Sequence, residues 1–130
     1  MRAALLFALG VTACAAPPPD GAGRPFETEA SYREQRAVAV RALQTAVGRP
    51  GAAELTACRA VAVGERPCGG PAAFAVYALG TADPSVVESA ASRVTALDRR
   101  ANAQFGLSST CEVLEPPELV LRDGLCVADG

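Results

Sequence analysis

Four cysteines, Cys58, Cys68, Cys111 and Cys126, carry the most decided chemistry in this sequence. A thiol can bind zinc, exchange electrons or staple a chain, and spacing separates these uses. Zinc ligands come in pairs about two to four residues apart. These cysteines are much farther apart, and the chain has no histidine to complete a site. No Cys-x-x-Cys pair exists to lower a thiol pKa for redox catalysis. An even number of widely spaced cysteines in an oxidising compartment reads as two disulfides. Of the three possible connectivities, the expected one joins neighbours, Cys58 to Cys68 and Cys111 to Cys126. Each bond would close a short loop worth about 3 kcal/mol of denatured-state entropy.

The other reactive constellations are incomplete. Ser108, Ser109 and Thr110 form a hydroxyl cluster, but no lysine or histidine is present in the chain to activate them. Glu112 and Glu115 are paired carboxylates, yet nothing about a loop position supplies the separation and pKa split that glycoside hydrolysis needs. With Glu118 they make that loop acidic without the dense oxygen spacing of a calcium site. Gly69-Gly70 lacks the spacing and the lysine of a phosphate loop. With histidine absent, the commonest general base is missing. The expectation is a protein that is not an enzyme and that holds no cofactor or metal.

A fifth cysteine, Cys14, closes a different kind of segment. Arg2 is followed by the apolar run Ala3, Ala4, Leu5, Leu6, Phe7, Ala8, Leu9 and then by small residues, the order of an export signal. Val11-Thr12-Ala13-Cys14 resembles the lipobox of bacterial lipoproteins. The resemblance implies cleavage before Cys14, a diacylglycerol thioether on its sulfur and an amide-linked acyl chain, such as palmitate, on its new N-terminus. Thr12 and Ala13 are small enough to admit a protease to that bond. Ala13-Cys14-Ala15 also fits ordinary signal cleavage, which would release a soluble secreted protein. The apolar stretch is too short for the about 20 residues of a membrane-spanning helix, whereas several acyl chains together give durable attachment.

The elements that must position these cysteines follow from periodicity and punctuation. Residues 14–26 hold Pro17, Pro18, Pro19, Gly21, Gly23 and Pro25, a composition for an extended tether at about 3.1 Å per residue. Glu27 to Val47 predicts a helix, with Tyr32, Ala39, Val40, Leu43, Ala46 and Val47 on one side and Gly48 and Pro50 ending it. Ala57 to Val63 predicts a strand, and Glu65-Arg66-Pro67-Cys68-Gly69-Gly70-Pro71 a rigid turn. Ala72 to Leu79 reads as a strand, with a helix opened by Pro71 as the alternative. Asp83 to Phe105 is the strongest helix: Asp83 can cap it, Pro84 suits its first position, and Gly106 suits the residue after its end. Val87, Ala90, Val94, Leu97, Ala101 and Phe105 form its apolar line. Glu88, Arg93, Asp98, Arg99 and Asn102 lie off that line, and Arg99-Arg100 reads as a solvated pair. The tail, Cys111 to Val127, reads as β structure: Pro116-Pro117 separates an earlier segment, Cys111 to Glu115, and Asp123-Gly124 predicts a hairpin between Glu118 to Arg122 and Leu125 to Ala128.

Pro67-Cys68-Gly69-Gly70-Pro71, Tyr77, the long helix with Asn102, Thr110-Cys111 and Leu125-Cys126 together resemble an uncharacterised group of small, disulfide-stapled bacterial lipoproteins. The resemblance implies a lipid anchor, disulfides and a compact α+β domain, and brings no activity. The expected organisation is a signal peptide over residues 1–13, a tether over 14–26, and one small α+β domain over 27–130. That domain would pack two main helices on a short antiparallel sheet.

All 12 basic residues are arginine against 14 acids, a formal net charge of −2, and no basic stripe exists to displace phosphate counterions. A nucleic-acid partner is therefore not expected. The expected role is a noncatalytic binding or accessory module, membrane-anchored through Cys14 on the exported side of the cell envelope. Ala15 lacks the acid resembling an inner-membrane retention signal, so the outer membrane is expected if the host is Gram-negative. A structural or assembly-factor lipoprotein, docking a protein partner on the first helix face, is the alternative, followed by a secreted soluble inhibitor.

Overall fold

The computed structural model describes residues 23–129, so the signal segment, the lipobox with Cys14 and most of the tether lie outside the described residues. Chain order is helix α1 (Glu29–Val47), a 3-10 turn at Leu55–Ala57, strands β1 (Cys58–Val63) and β2 (Ala73–Ala78), helix α2 (Pro84–Phe105), and strands β3 (Glu118–Arg122) and β4 (Leu125–Asp129). This is an α+β fold with two antiparallel hairpins, β1–β2 and β3–β4.

Local chemistry sets the ends of the elements. The Thr28 hydroxyl accepts from the Ser31 amide while Ser31 accepts from the Thr28 amide, a reciprocal cap that starts α1 two residues after Glu27. Asp83 caps α2 by accepting from the amides of Ser85 and Val86, and the Ser85 hydroxyl, together with those amides, holds its carboxyl below the ordinary range. At the second hairpin, Asp123 and Gly124 both adopt positive φ, 51° and 71°, the pair a two-residue turn between right-twisted strands requires. The ambiguous segment after Pro71 is a strand, in register with β1 from Val63↔Ala73 to Cys58↔Ala78. Cys111 to Glu115, expected as β structure, instead forms no regular structure, and the strands of the tail begin only after Pro116-Pro117, at Glu118.

Strand alternation makes the β1–β2 hairpin the middle of three layers. Val61, Val63, Ala75 and Tyr77 face the helices and join Ala39, Leu43, Val87, Ala91, Val94, Leu97 and Ala101 in the main core. On the opposite face, Cys58 and Ala78 with Val76 pack against Cys126, Leu119 and Leu121 of the second hairpin. Val87 and Val94 are fully enclosed, each worth about 1.5–3 kcal/mol relative to exposure. The apolar side of α1 is thus a core face, with Ala39 and Leu43 buried against α2 and β2. The core also reaches into the stretch assigned to the tether. Phe26 is buried, exchanges backbone bonds with the Gln104 amide, and packs against Tyr32 and Phe105.

The disulfide pairing corrects the expectation: Cys58 joins Cys126 and Cys68 joins Cys111. An extended strand rises about 3.3 Å per residue, so the six residues of β1 carry Cys58 far from the turn that holds Cys68. Meanwhile the chain before β1 docks on β4, with the Cys126 amide donating to Pro50 O and the Ala52 amide to Gly124 O. That docking brings the Cα atoms of Cys58 and Cys126 to 5.5 Å. Loop entropy favours short loops in the unfolded chain, but strand stiffness decides which thiols can meet.

Candidate functional site

The expected cysteine sites divide by exposure. Cys58 and Cys126 are buried between the two hairpins, whereas Cys68 and Cys111 lie on the surface. The surface bridge joins the Arg66–Gly70 turn to residues 107–117, which run without regular structure between α2 and β3. The turn is itself closed by backbone bonds between Arg66 and Gly70 and between Gly69 and Arg66. Arg66 Nη1 adds a second tie, donating to Glu112 O at 2.7 Å. Beyond these ties, Val113 is 83% exposed and Leu114 36% exposed, flanked by the exposed carboxylates of Glu112 and Glu115 and followed by Pro116-Pro117. An apolar pair held out on a covalently fixed, proline-stiffened segment has its ordering cost met before any partner arrives. Its chemistry is that of a contact epitope: two side chains to bury and an acidic rim to orient them.

The hydroxyl cluster stays at the surface. Ser108, Ser109 and Thr110 are exposed, and the Ser109 hydroxyl is turned to the Thr110 carbonyl. Among the described residues, no group of three or more His, Cys, Asp or Glu side chains is placed to hold a metal ion.

The structure adds a polar centre at the α1–α2 contact. Asp98, assigned to the outer side of the helix, is 2% exposed. Its Oδ1 accepts from Tyr32 OH at 2.9 Å and Arg36 Nε at 2.7 Å, and its Oδ2 from Arg36 Nη2 and the Glu65 amide, each at 3.2 Å. The bond to Asp98 holds the Arg36 guanidinium above its ordinary pKa. Burial, reinforced by the neighbouring carboxylate, pushes the Tyr32 phenol up to about 12. Gly64 makes the approach of β1 possible: at φ 74° a Cβ there would lie 2.4 Å from Asp98 Oδ2. Asn102 and Thr95 complete the junction, donating to Glu65 O and accepting from the Gly64 amide. Both carboxylate oxygens of Asp98 face protein donors, so the cluster ties α1, α2 and the end of β1 together. A signal for it existed. Tyr32, Arg36, Ala39 and Leu43 recur at spacings of four and three, as do Val87, Ala91, Val94, Asp98 and Ala101, so the two charges sit at facing core positions.

The pair Arg99-Arg100 also separates. Arg99 is exposed and forks onto Glu65, while Arg100 lays its guanidinium 4.4 Å over the Phe26 ring. Among the described residues Arg100 Nε is buried without a hydrogen bond, a position that a cation–π contact compensates.

Comparison of the chain with protein families, with curated proteins and with solved structures finds no match in any of the three. Among the described residues, no helix is long and apolar enough to cross a membrane.

Proposed function

We propose that this protein is a noncatalytic binding module of the bacterial cell envelope, tethered by lipid on Cys14 and docking a protein partner through residues 107–117. The observation that carries this reading is the exposure of Val113 and Leu114 on a segment pinned by the Cys68–Cys111 bridge. Large aliphatic side chains so exposed on a fixed loop mark interaction sites more often than isolated surface hydrophobics do. The lipobox-like Val11-Thr12-Ala13-Cys14 supports attachment on the exported side of a membrane, the outer membrane in a Gram-negative host.

Two measurements test the two halves of this reading. A photo-crosslinking residue at position 113, introduced in the native envelope, is expected to give one discrete protein adduct that Leu114→Asp abolishes. The same residue at position 41, on the exposed side of α1, should give none. No adduct at 113, or equal adducts at both positions, would remove the epitope. Fractionation tests the anchor: Cys14→Ser is expected to lose acylation and to leave the membrane fraction or remain unprocessed. A mature wild-type protein beginning at Ala16 would refute it.

A further inference from the structure

The β1–β2 hairpin is a two-stranded sheet, so β1 has a second edge. Backbone groups alternate between the two sides of an antiparallel strand. The Leu79 amide donates to Ala57 O and the Ala72 amide to Val63 O, so odd-numbered residues of β1 bond β2 and even-numbered ones point outward. The outward groups at the two ends are already satisfied. Cys58 O accepts from Arg59 Nη1, and the Gly64 amide donates to Thr95 Oγ1 of α2. Between them, Ala60 and Ala62 present their amides and carbonyls outward, and among the described residues no side chain or second strand engages them.

That open edge borders a groove of about 500 Å³ between β1 and α2. Val61 and Ala62 line it from the strand, and Ser92, Thr95 and Ala96 from the helix. Glu88 stands at one end of the helical stripe and Arg99 at the other. Edge strands are ordinarily blunted by charge, proline or a covering loop. Here the stretch Ala60-Val61-Ala62-Val63-Gly64 contains neither charge nor proline.

We infer that this edge and groove are the interface of a twofold dimer in which β1 pairs antiparallel with β1 of a second copy and α2 packs against its counterpart. A twofold axis beside Val61 sets Ala60 opposite Ala62 of the other chain and closes four ladder bonds. The result is a four-stranded sheet in the order β2-β1-β1-β2. The charge pattern selects a second copy over another partner. The only charged side chain of β1, Arg59, falls opposite Val63 rather than opposite itself. On the helices, reversal sets Ser92 against Ala96, small residues that allow close approach, and places Glu88 of each chain beside Arg99 of the other. Glu88 has no ion-pair partner within its own chain among the described residues. Arg99 spends Nε and Nη2 on Glu65 and keeps Nη1 for it. An isologous interface needs this self-complementarity about one axis.

The test is sedimentation equilibrium of the full-length chain in a density-matched detergent, with amide hydrogen exchange read at Ala60 and Ala62. The wild type is expected to associate to twice the mass of a single chain, with both edge amides protected. Glu88→Arg sets like charges together and should weaken association by about tenfold or more, exposing those amides to exchange. Ala62→Pro removes an outward amide and no β1–β2 bond, and should also give monomer. If circular dichroism shows that the proline variant does not fold, Glu88→Arg and the exchange data decide alone. A monomeric wild type, a particle larger than two chains, or a dimer indifferent to Glu88→Arg overturns the inference.

Discussion

Replacing Asp98 with alanine tests how the domain is held together at its only buried charge among the described residues. The carboxylate takes four hydrogen bonds, from Tyr32, twice from Arg36 and from the Glu65 amide. Alanine strands all of these donors at once. Breaking one side of a buried ion pair costs about 3–5 kcal/mol, and each stranded donor that cannot reach water adds to that. The Arg36 side chain retains 35% of its exposure, so its guanidinium can turn partly to solvent, which sets the expected loss near the lower end, about 3 kcal/mol. A domain of this size has about 5–15 kcal/mol in total, so the variant should lose a large share of its stability. Urea midpoints under nonreducing conditions, with unchanged slopes, read the loss directly. Arg36→Ala should cost little more in the Asp98→Ala background than nothing at all, because its partner is already gone. A loss below about 1 kcal/mol for Asp98→Ala, or additive single and double variants, would show that the cluster is not a structural tie.

Nonreducing digestion should release Cys58 linked to Cys126 and Cys68 linked to Cys111, and graded reduction should free the exposed Cys68–Cys111 bond first; neighbour-linked peptides would contradict the fold. With separations of 68 and 43 residues, removing either bridge should cost about 4 kcal/mol by loop entropy. Tyr32 holds its proton more tightly folded than unfolded, so its contribution to stability is complete below the ordinary value of 10.0 and is lost as pH rises through about 12. A spectrophotometric titration should find the Tyr32 phenol so delayed, and Tyr32→Phe should abolish that phase. Leu97→Ala should cost about 2–5 kcal/mol through lost burial and a cavity, against less than about 0.5 kcal/mol for exposed Arg93→Ala. Arg100→Ala, which removes the guanidinium over Phe26, should fall between them at about 0.5–2 kcal/mol. Equal denaturant midpoints for the three variants would refute the assigned helix face.

What the sequence by itself determined is the set of features whose causes lie within a few residues. Asp83-Pro84 starts α2 because a carboxylate can reach amides two and three positions on, and Asp123-Gly124 turns the second hairpin because both residues tolerate positive φ. The apolar line from Val87 to Ala101 marked the core side of α2 because 3.6-residue periodicity is a local property. Tertiary structure decided everything that depends on which distant surfaces meet. Spacing favoured neighbouring disulfides, but the stiffness of β1 separates Cys58 from Cys68, and docking of β4 on residues 50–52 delivers Cys126 instead. Asp98 reads as a surface acid until Arg36 and Tyr32 of α1 are set against it, because a charge is buried only where its partners arrive from another element. Phe26 reads as the end of a tether until Phe105 and Arg100, from the far end of α2, close over it. Val113 and Leu114, plain aliphatics in the sequence, become a candidate epitope only because no element among the described residues comes back to cover them.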